Sequence, residues 1–203
     1  MLRHIFILIA LAVPAVSVAQ TESANQDLQA TTERTDEDSA MKSRITDVRL
    51  AFDEQDVLLS FKLLGVFDDN FRRRLESGLP TSLKYEFELR RSRKSWFDKA
   101  TQTGNLQVDA MYNAVTREYL INFKHDDQLI ESRVVKDPAE LLSSMTEFAD
   151  FPVFSAEGKN PQQRFRVRVR SELRTRTIFF FIPSTVHTDW AETRKFRFAE
   201  EID

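Results

Sequence analysis

Hydrophobic positions along this chain recur mostly at every second residue. Ile45, Val48, Leu50 and Phe52 lead into a polar turn over Asp53–Asp56, and Val57, Leu59, Phe61 and Leu63 alternate after it. This is the pattern of a hairpin with one buried face. The period then changes. Phe67, Phe71 and Leu75 recur every four residues, with Asp68 or Asp69 placed as the N-cap and Gly78, Leu79 and Pro80 as the stop, which predicts a short amphipathic helix. A long strand follows, with Leu83, Tyr85, Phe87 and Leu89 on one face and Lys84, Glu86, Glu88 and Arg90 on the other. The basic run Arg90–Lys94 with Trp96 and Phe97 ends or bends it. Leu106, Val108 and Ala110 alternate again, and Tyr119, Ile121 and Phe123 return after the polar stretch Asn113–Arg117.

A second helix is predicted from Asp137, with Pro138 in its first turn, an apolar stripe of Leu141, Leu142, Met145 and Phe148, and Pro152 as its end. After a loop over Ser155–Gln162 comes the clearest alternation of all, Arg164–Arg170, in which Phe165, Val167 and Val169 separate four arginines. The run Ile178–Ile182 is apolar on both faces and reads as a buried strand ending at Pro183. Trp190, Phe196 and Phe198 close the chain. Seven or so strands joined by short polar turns imply antiparallel pairing. The fold class expected is mainly β: an antiparallel β-sandwich, or a strongly curled sheet, with two short covering helices.

The first residues break this pattern. Arg3 and His4 precede an apolar run from Ile5 to Val13 that continues past Pro14 to Val18, and Ser17 and Ala19 set small residues just before Gln20. A charged start, a short apolar middle and a small-x-small end make a secretory signal peptide over 1–19, with cleavage between Ala19 and Gln20. The run is too short, and too broken by Pro14, for a membrane span. Residues 20–41 are polar and acidic, with Glu33, Asp36, Glu37 and Asp38 close together. They bury too little apolar surface to offset the entropy of ordering, so they read as a disordered linker. One β-rich domain is expected over 42–203.

Composition narrows the function. The chain has 17 phenylalanines, which suits a sheet-rich interior, and only 4 glycines, which leaves little for glycine-dependent phosphate loops. It has 0 cysteines, so disulfides, thiolate metal sites and a cysteine nucleophile are excluded. A net charge of −3 argues against general nucleic-acid binding. The order of signals is similar to that of DUF4390, a family of exported bacterial proteins of unknown function. Ile45–Leu50, the set Phe71, Leu75, Gly78, Leu79 and Pro80, and the strand Leu83–Leu89 carry the likeness. Tyr112, Tyr119, Pro183, Asp189 and Trp190 also fit. The likeness spans nearly all of residues 44–198. Its motifs specify a fold rather than a site, and it implies an envelope location.

Candidate chemistry lies in the basic residues. Arg164, Arg166, Arg168 and Arg170 project from one face of one strand, about 6–7 Å apart. Such a ladder serves either an anionic partner, namely lipid headgroups, an acidic polysaccharide or an acidic protein surface, or a cross-strand pairing with acids such as Glu86 and Glu88. The second reading is favoured. Arg90, Arg91, Arg93 and Lys94, followed by Trp96 and Phe97, could dock on a membrane surface; the plainer reading is a charged strand end with Trp96 in the core. Arg72–Arg74 read as a solvated helix face. His125 beside Asp126 and Asp127, and His187 near Asp189, lack the three or four converging ligands of a metal site. No Gly-x-Ser-x-Gly or His-Glu-x-x-His occurs. The expectation is an exported, non-catalytic envelope protein without cofactor or metal. It would bind an envelope protein or an anionic envelope component, with peripheral membrane contact at most and no nucleic acid. One alternative is a lipid or glycan carrier with its ligand between the sheets, motivated by Phe179–Phe181, Trp96 and Trp190. A second is an unrecognised hydrolase.

Overall fold

The computed structural model of the chain describes residues 43–93, 97–178 and 182–201. The leader, its Ala19–Gln20 cleavage point and the linker over 20–41 lie outside the described residues, as do Lys94, Trp96 and Phe179–Phe181. The strands are β1 (Arg44–Asp53), β2 (Asp56–Leu64), β3 (Thr81–Arg91), β4 (Lys99–Asn113), β5 (Glu118–His125), β6 (Gln128–Val135), β7 (Glu147–Ser155), β8 (Phe165–Ile178), β9 (Ile182–His187) and β10 (Ala191–Glu192). Helix α1 spans Asp69–Glu76, α2 spans Pro138–Thr146, and a single turn, α3, spans Phe198–Glu201.

The strands form two antiparallel sheets. The smaller has the order β1-β2-β7; the larger runs β10-β8-β3-β4-β5-β6, with β9 continuing the pairing along β8. Alternation explains how they close on each other. Val57, Leu59, Phe61 and Leu63 of β2 and Leu83, Tyr85, Phe87 and Leu89 of β3 are all buried, so the two sheets share one core. Phe61 meets Tyr85 edge-on at 5.2 Å and Phe87 at 5.8 Å, and stacks on Phe148 of β7 at 4.8 Å. The mainly-β sandwich expected from the pattern is the fold observed. At one end a second ring cluster forms, in which Phe52 of β1 meets Phe196 at 5.3 Å and Phe165 of β8 meets Phe198 at 5.1 Å.

Local chemistry sets the helices. The Asp68 carboxylate accepts from the Phe71 N–H at 2.7 Å and caps α1. Gly78, at φ +76°, takes the left-handed conformation that ends it. Asp137 caps α2 by accepting from the Ala139 N–H, and Pro138 occupies the first turn. This second helix is shorter than the apolar stripe predicts. It stops at Thr146, and Phe148 and Pro152 belong to β7, which pairs with β2. Pro152 is tolerated there because β7 is an edge strand.

Three other expectations change. Ile45 and Val48 differ in parity, and a bulge between Thr46 and Arg49 restores Leu50 and Phe52 to register. Ile178 closes β8 and Ile182 opens β9, and the two pair with each other, so the ends of the run read as one strand belong to two. Strands β6, β7 and β10 were not foreseen, and the described residues hold ten strands.

Within the core the Tyr85 hydroxyl donates to the Met145 carbonyl at 2.7 Å. Both residues are fully buried, and burial raises the Tyr85 pKa well above its usual value. The bond ties α2 to the central strand of the larger sheet. Tyr85→Phe leaves that carbonyl without its donor in a dry site, and should lower stability by about 1–3 kcal/mol. A urea titration of the purified protein would read this as a lower midpoint with unchanged slope.

Candidate functional site

The arginines of β8 lie on the outer face of the larger sheet, because Phe165, Val167 and Val169 between them are buried in the core. Pairing of β3 with β8 sets Glu88 opposite Arg168 and Glu86 opposite Arg170. Arg168 donates through Nε and a terminal nitrogen to Glu88 Oε2 at 2.9 and 2.8 Å. Arg170 does the same to Glu86 Oε2 at 2.8 and 2.6 Å. Arg90 adds a third donor to Glu88 at 2.7 Å. The Trp190 ring lies under both guanidinium groups, 4.0 Å from that of Arg168 and 4.5 Å from that of Arg170, where cation–π attraction holds them flat.

One rung of this ladder opposes like charges, since Arg90 faces Arg166 directly. Asp98 resolves the conflict. Its carboxylate accepts from Arg166, and its backbone carbonyl accepts from Arg90. Glu192 of β10 accepts from Arg166 on the other side. The Asp98 side chain is only 11% exposed. Burial pushes its pKa up, but hydrogen bonds from Arg166 and the Arg93 N–H, with the charges of Arg166 and Lys195, outweigh burial and hold the carboxyl below its usual range. Sequence reasoning found Glu86 and Glu88, missed Asp98 and Glu192, and offered Trp190 as an aromatic for a ligand between the sheets, whereas its ring lies against Arg168 and Arg170.

At the far end of the ladder His187 Nε2 stands 3.5 Å from Glu86 Oε1. Glu86, Glu172 and His187 each offer one ligand atom, all within 4.8 Å of one another. A cation there would sit beside the Arg170 guanidinium, which already holds Glu86, so the group works as charge compensation. His125 ends β5, and the Asp126–Asp127 turn that follows has positive φ at both residues, the backbone of a tight hairpin. The His125 ring packs against Phe151 at 5.2 Å. Arg72–Arg74 lie on exposed positions of α1.

The second basic feature is built differently. Arg91, the last residue of β3, pairs in register with Lys99 at the start of β4 and with Phe165 of β8. Arg164 is held one rung further on by its carbonyl, which accepts from the Ser92 N–H at 2.8 Å. Among the described residues, no acid lies within salt-bridge distance of the Arg91, Arg93, Lys99 or Arg164 side chains. Lys195 is near enough to lower the Asp98 pKa. On the β3–β4 connection, between Arg93 and Lys99 in the chain, Phe97 is 95% exposed. The structure therefore divides the predicted site residues. Arg90, Arg166, Arg168 and Arg170 are answered by nearby acceptors, whereas Arg91, Arg93 and Arg164 stand at the end of the sheet without one among the described residues. Lys94 and Trp96 lie outside the described residues.

A family model described as "Domain of unknown function (DUF4390)" matches residues 40–182. No curated protein and no solved structure matches the chain.

Because its folded pKa is depressed, Asp98 adds stability that is present above its unfolded value of about 3.9 and lost as pH falls through the folded value. Asp98→Asn should cost roughly 1–3 kcal/mol near neutrality, by removing the negative charge that answers Arg166 where it faces Arg90. The gap from the unmodified protein should close in acid below about pH 3.9. Urea midpoints measured across this range would show a constant gap if the aspartate has no such role.

Proposed function

The chain belongs to the DUF4390 family, and on that premise we propose that it is an exported, non-catalytic module that docks peripherally on an anionic envelope surface through the β3–β4 end of its larger sheet. The leader read over residues 1–19 supports export. The single observation that carries the docking role is Phe97, 95% exposed on the β3–β4 connection, where Arg91, Arg93 and Lys99 flank it along the chain and, among the described residues, have no acid within salt-bridge distance. An exposed aromatic among uncompensated cations matches a layer of anionic headgroups over an apolar interior. The ladder itself offers less to such a partner, since each of Arg166, Arg168 and Arg170 already has a carboxylate. A carrier would need room between the sheets, where Phe61, Tyr85, Phe87 and Phe148 are in ring contact. This favours the surface over the interior.

Co-sedimentation with vesicles tests the reading. The protein should pellet with phosphatidylglycerol–phosphatidylcholine vesicles, stay in solution with phosphatidylcholine alone, and be released as salt shortens the screening length. Each of Arg91→Glu, Lys99→Glu and Arg164→Glu should weaken binding at least about fivefold, from the roughly 1 kcal/mol that a basic residue gains near an anionic surface. Phe97→Ser should weaken it without changing the salt dependence. Equal binding to neutral vesicles, or none to anionic ones, would refute the assignment.

A further inference from the structure

The four outer strand edges of the two sheets are not built alike. In the smaller sheet β1 carries a bulge at Thr46/Arg49 with Asp47 at φ +55°, and β7 carries Pro152 and two register shifts. On one side of the larger sheet, β8 is covered by the two-residue β10 and by β9. Bulges, proline, short strands and charged side chains are the usual means of closing an edge to further pairing. Strand β6, on the other side, carries a bulge at Ile130 and the charges of Glu131 and Arg133, and keeps regular register with β5 from Glu131 to Val135. Its residues from Gln128 to Val134 are exposed, including Leu129 at 61%, Ile130 at 53% and Val134 at 58%. Among the described residues, nothing pairs with its outer edge.

The sequence of β6 complements itself. We propose that the protein forms a two-fold symmetric homodimer in which β6 pairs antiparallel with β6 of a second copy, centred on Ser132. A two-fold axis normal to the sheet keeps paired residues on the same face, so it must pass through a residue pair. With Ser132 at the axis, Glu131 faces the partner's Arg133 and Arg133 faces the partner's Glu131. Moving the axis one residue either way sets Glu131 against Glu131 or Arg133 against Arg133, and like charges directly opposite destabilise a sheet.

The flanking structure agrees with this register. Glu131 and Arg133 are already paired at 2.8 Å and both remain accessible, so the dimer closes them into a ring of alternating charge. Arg133 is held in place over the Phe123 ring at 5.3 Å. On the outer face Met111, Leu120 and Val134 form one apolar row across β4, β5 and β6 that ends at the proposed seam. A single strand pair buries less than the roughly 800 Å² per partner of a standard interface, so the dimer should be reversible and concentration-dependent.

The test is sedimentation velocity on the purified protein over a concentration series. A monomer–dimer equilibrium is expected. Glu131→Arg and Arg133→Glu should each weaken it at least about tenfold, since each replaces two attractive pairs with two repulsive ones. An equimolar mixture of the two variants should restore it as a heterodimer. Because Arg133 also contacts Phe123, a second probe is needed. Ser132→Cys introduces one thiol into a chain with 0 cysteines. Directly opposed strand residues lie about 4.5–5.5 Å apart, within disulfide reach, so mild oxidation should trap a covalent dimer. A protein that stays monomeric to about 100 micromolar, far above a micromolar constant, or a dimer that Ser132→Cys does not trap, would overturn the proposal.

Discussion

The register of β3 is the constraint from which the rest of the larger sheet follows. This strand is hydrogen-bonded on both edges, to β4 and to β8. Its inward residues Leu83, Tyr85, Phe87 and Leu89 are at most 1% exposed. A slip of one residue would carry Lys84, Glu86 and Glu88 into a core that has no partner for them. With that slip forbidden, Glu86 and Glu88 must stand on the outer face, and the pairing with β8 sets them beside Arg170 and Arg168. The outer charge ladder is thus a consequence of inner burial, and the buried Tyr85–Met145 bond helps fix both by tying α2 to the same strand.

The same register creates the one rung that β3 and β8 cannot satisfy alone. Arg90 and Arg166 face each other, and the answer comes from outside both strands. Asp98, just before β4, serves the two arginines through different atoms, and Glu192 takes the remaining side of Arg166. Beyond that rung, among the described residues, no acid comes within salt-bridge distance of Arg91, Arg93, Lys99 or Arg164, which stand at the end of the sheet that also carries Phe97. The boundary between structural and available cations therefore falls at Asp98.

Much of this was legible in the alternation of residues, and the failures have physical reasons. Strands β1 to β5 and β8 each bury one face, and burial of one face writes period two into the sequence. Strand β6 left no such mark, because an exposed edge strand puts Leu129, Ile130 and Val134 on no common buried face. The end of α2 was misplaced because Met145 and Phe148 are three residues apart, a spacing that a helix and the start of a strand can share. Glu86 and Glu88 could be matched to the ladder because both strands alternate strictly. Asp98 and Glu192 lie 68 and 26 residues from Arg166, in short segments without period, so only the folded chain brings them to it.

Docking and dimerisation constrain each other through the direction of the strands. A two-fold axis normal to the sheet at Ser132 reverses strand direction between protomers. The β3–β4 end of one copy then points along the strands opposite to that of its partner. Both Phe97 tips cannot rest on one flat surface, so pairing through β6 gives no added avidity on a single plane of headgroups. What such a dimer can do is present one basic tip to each of two facing surfaces. Self-association then sets the distance it spans, while the charge on each tip sets how firmly each end holds.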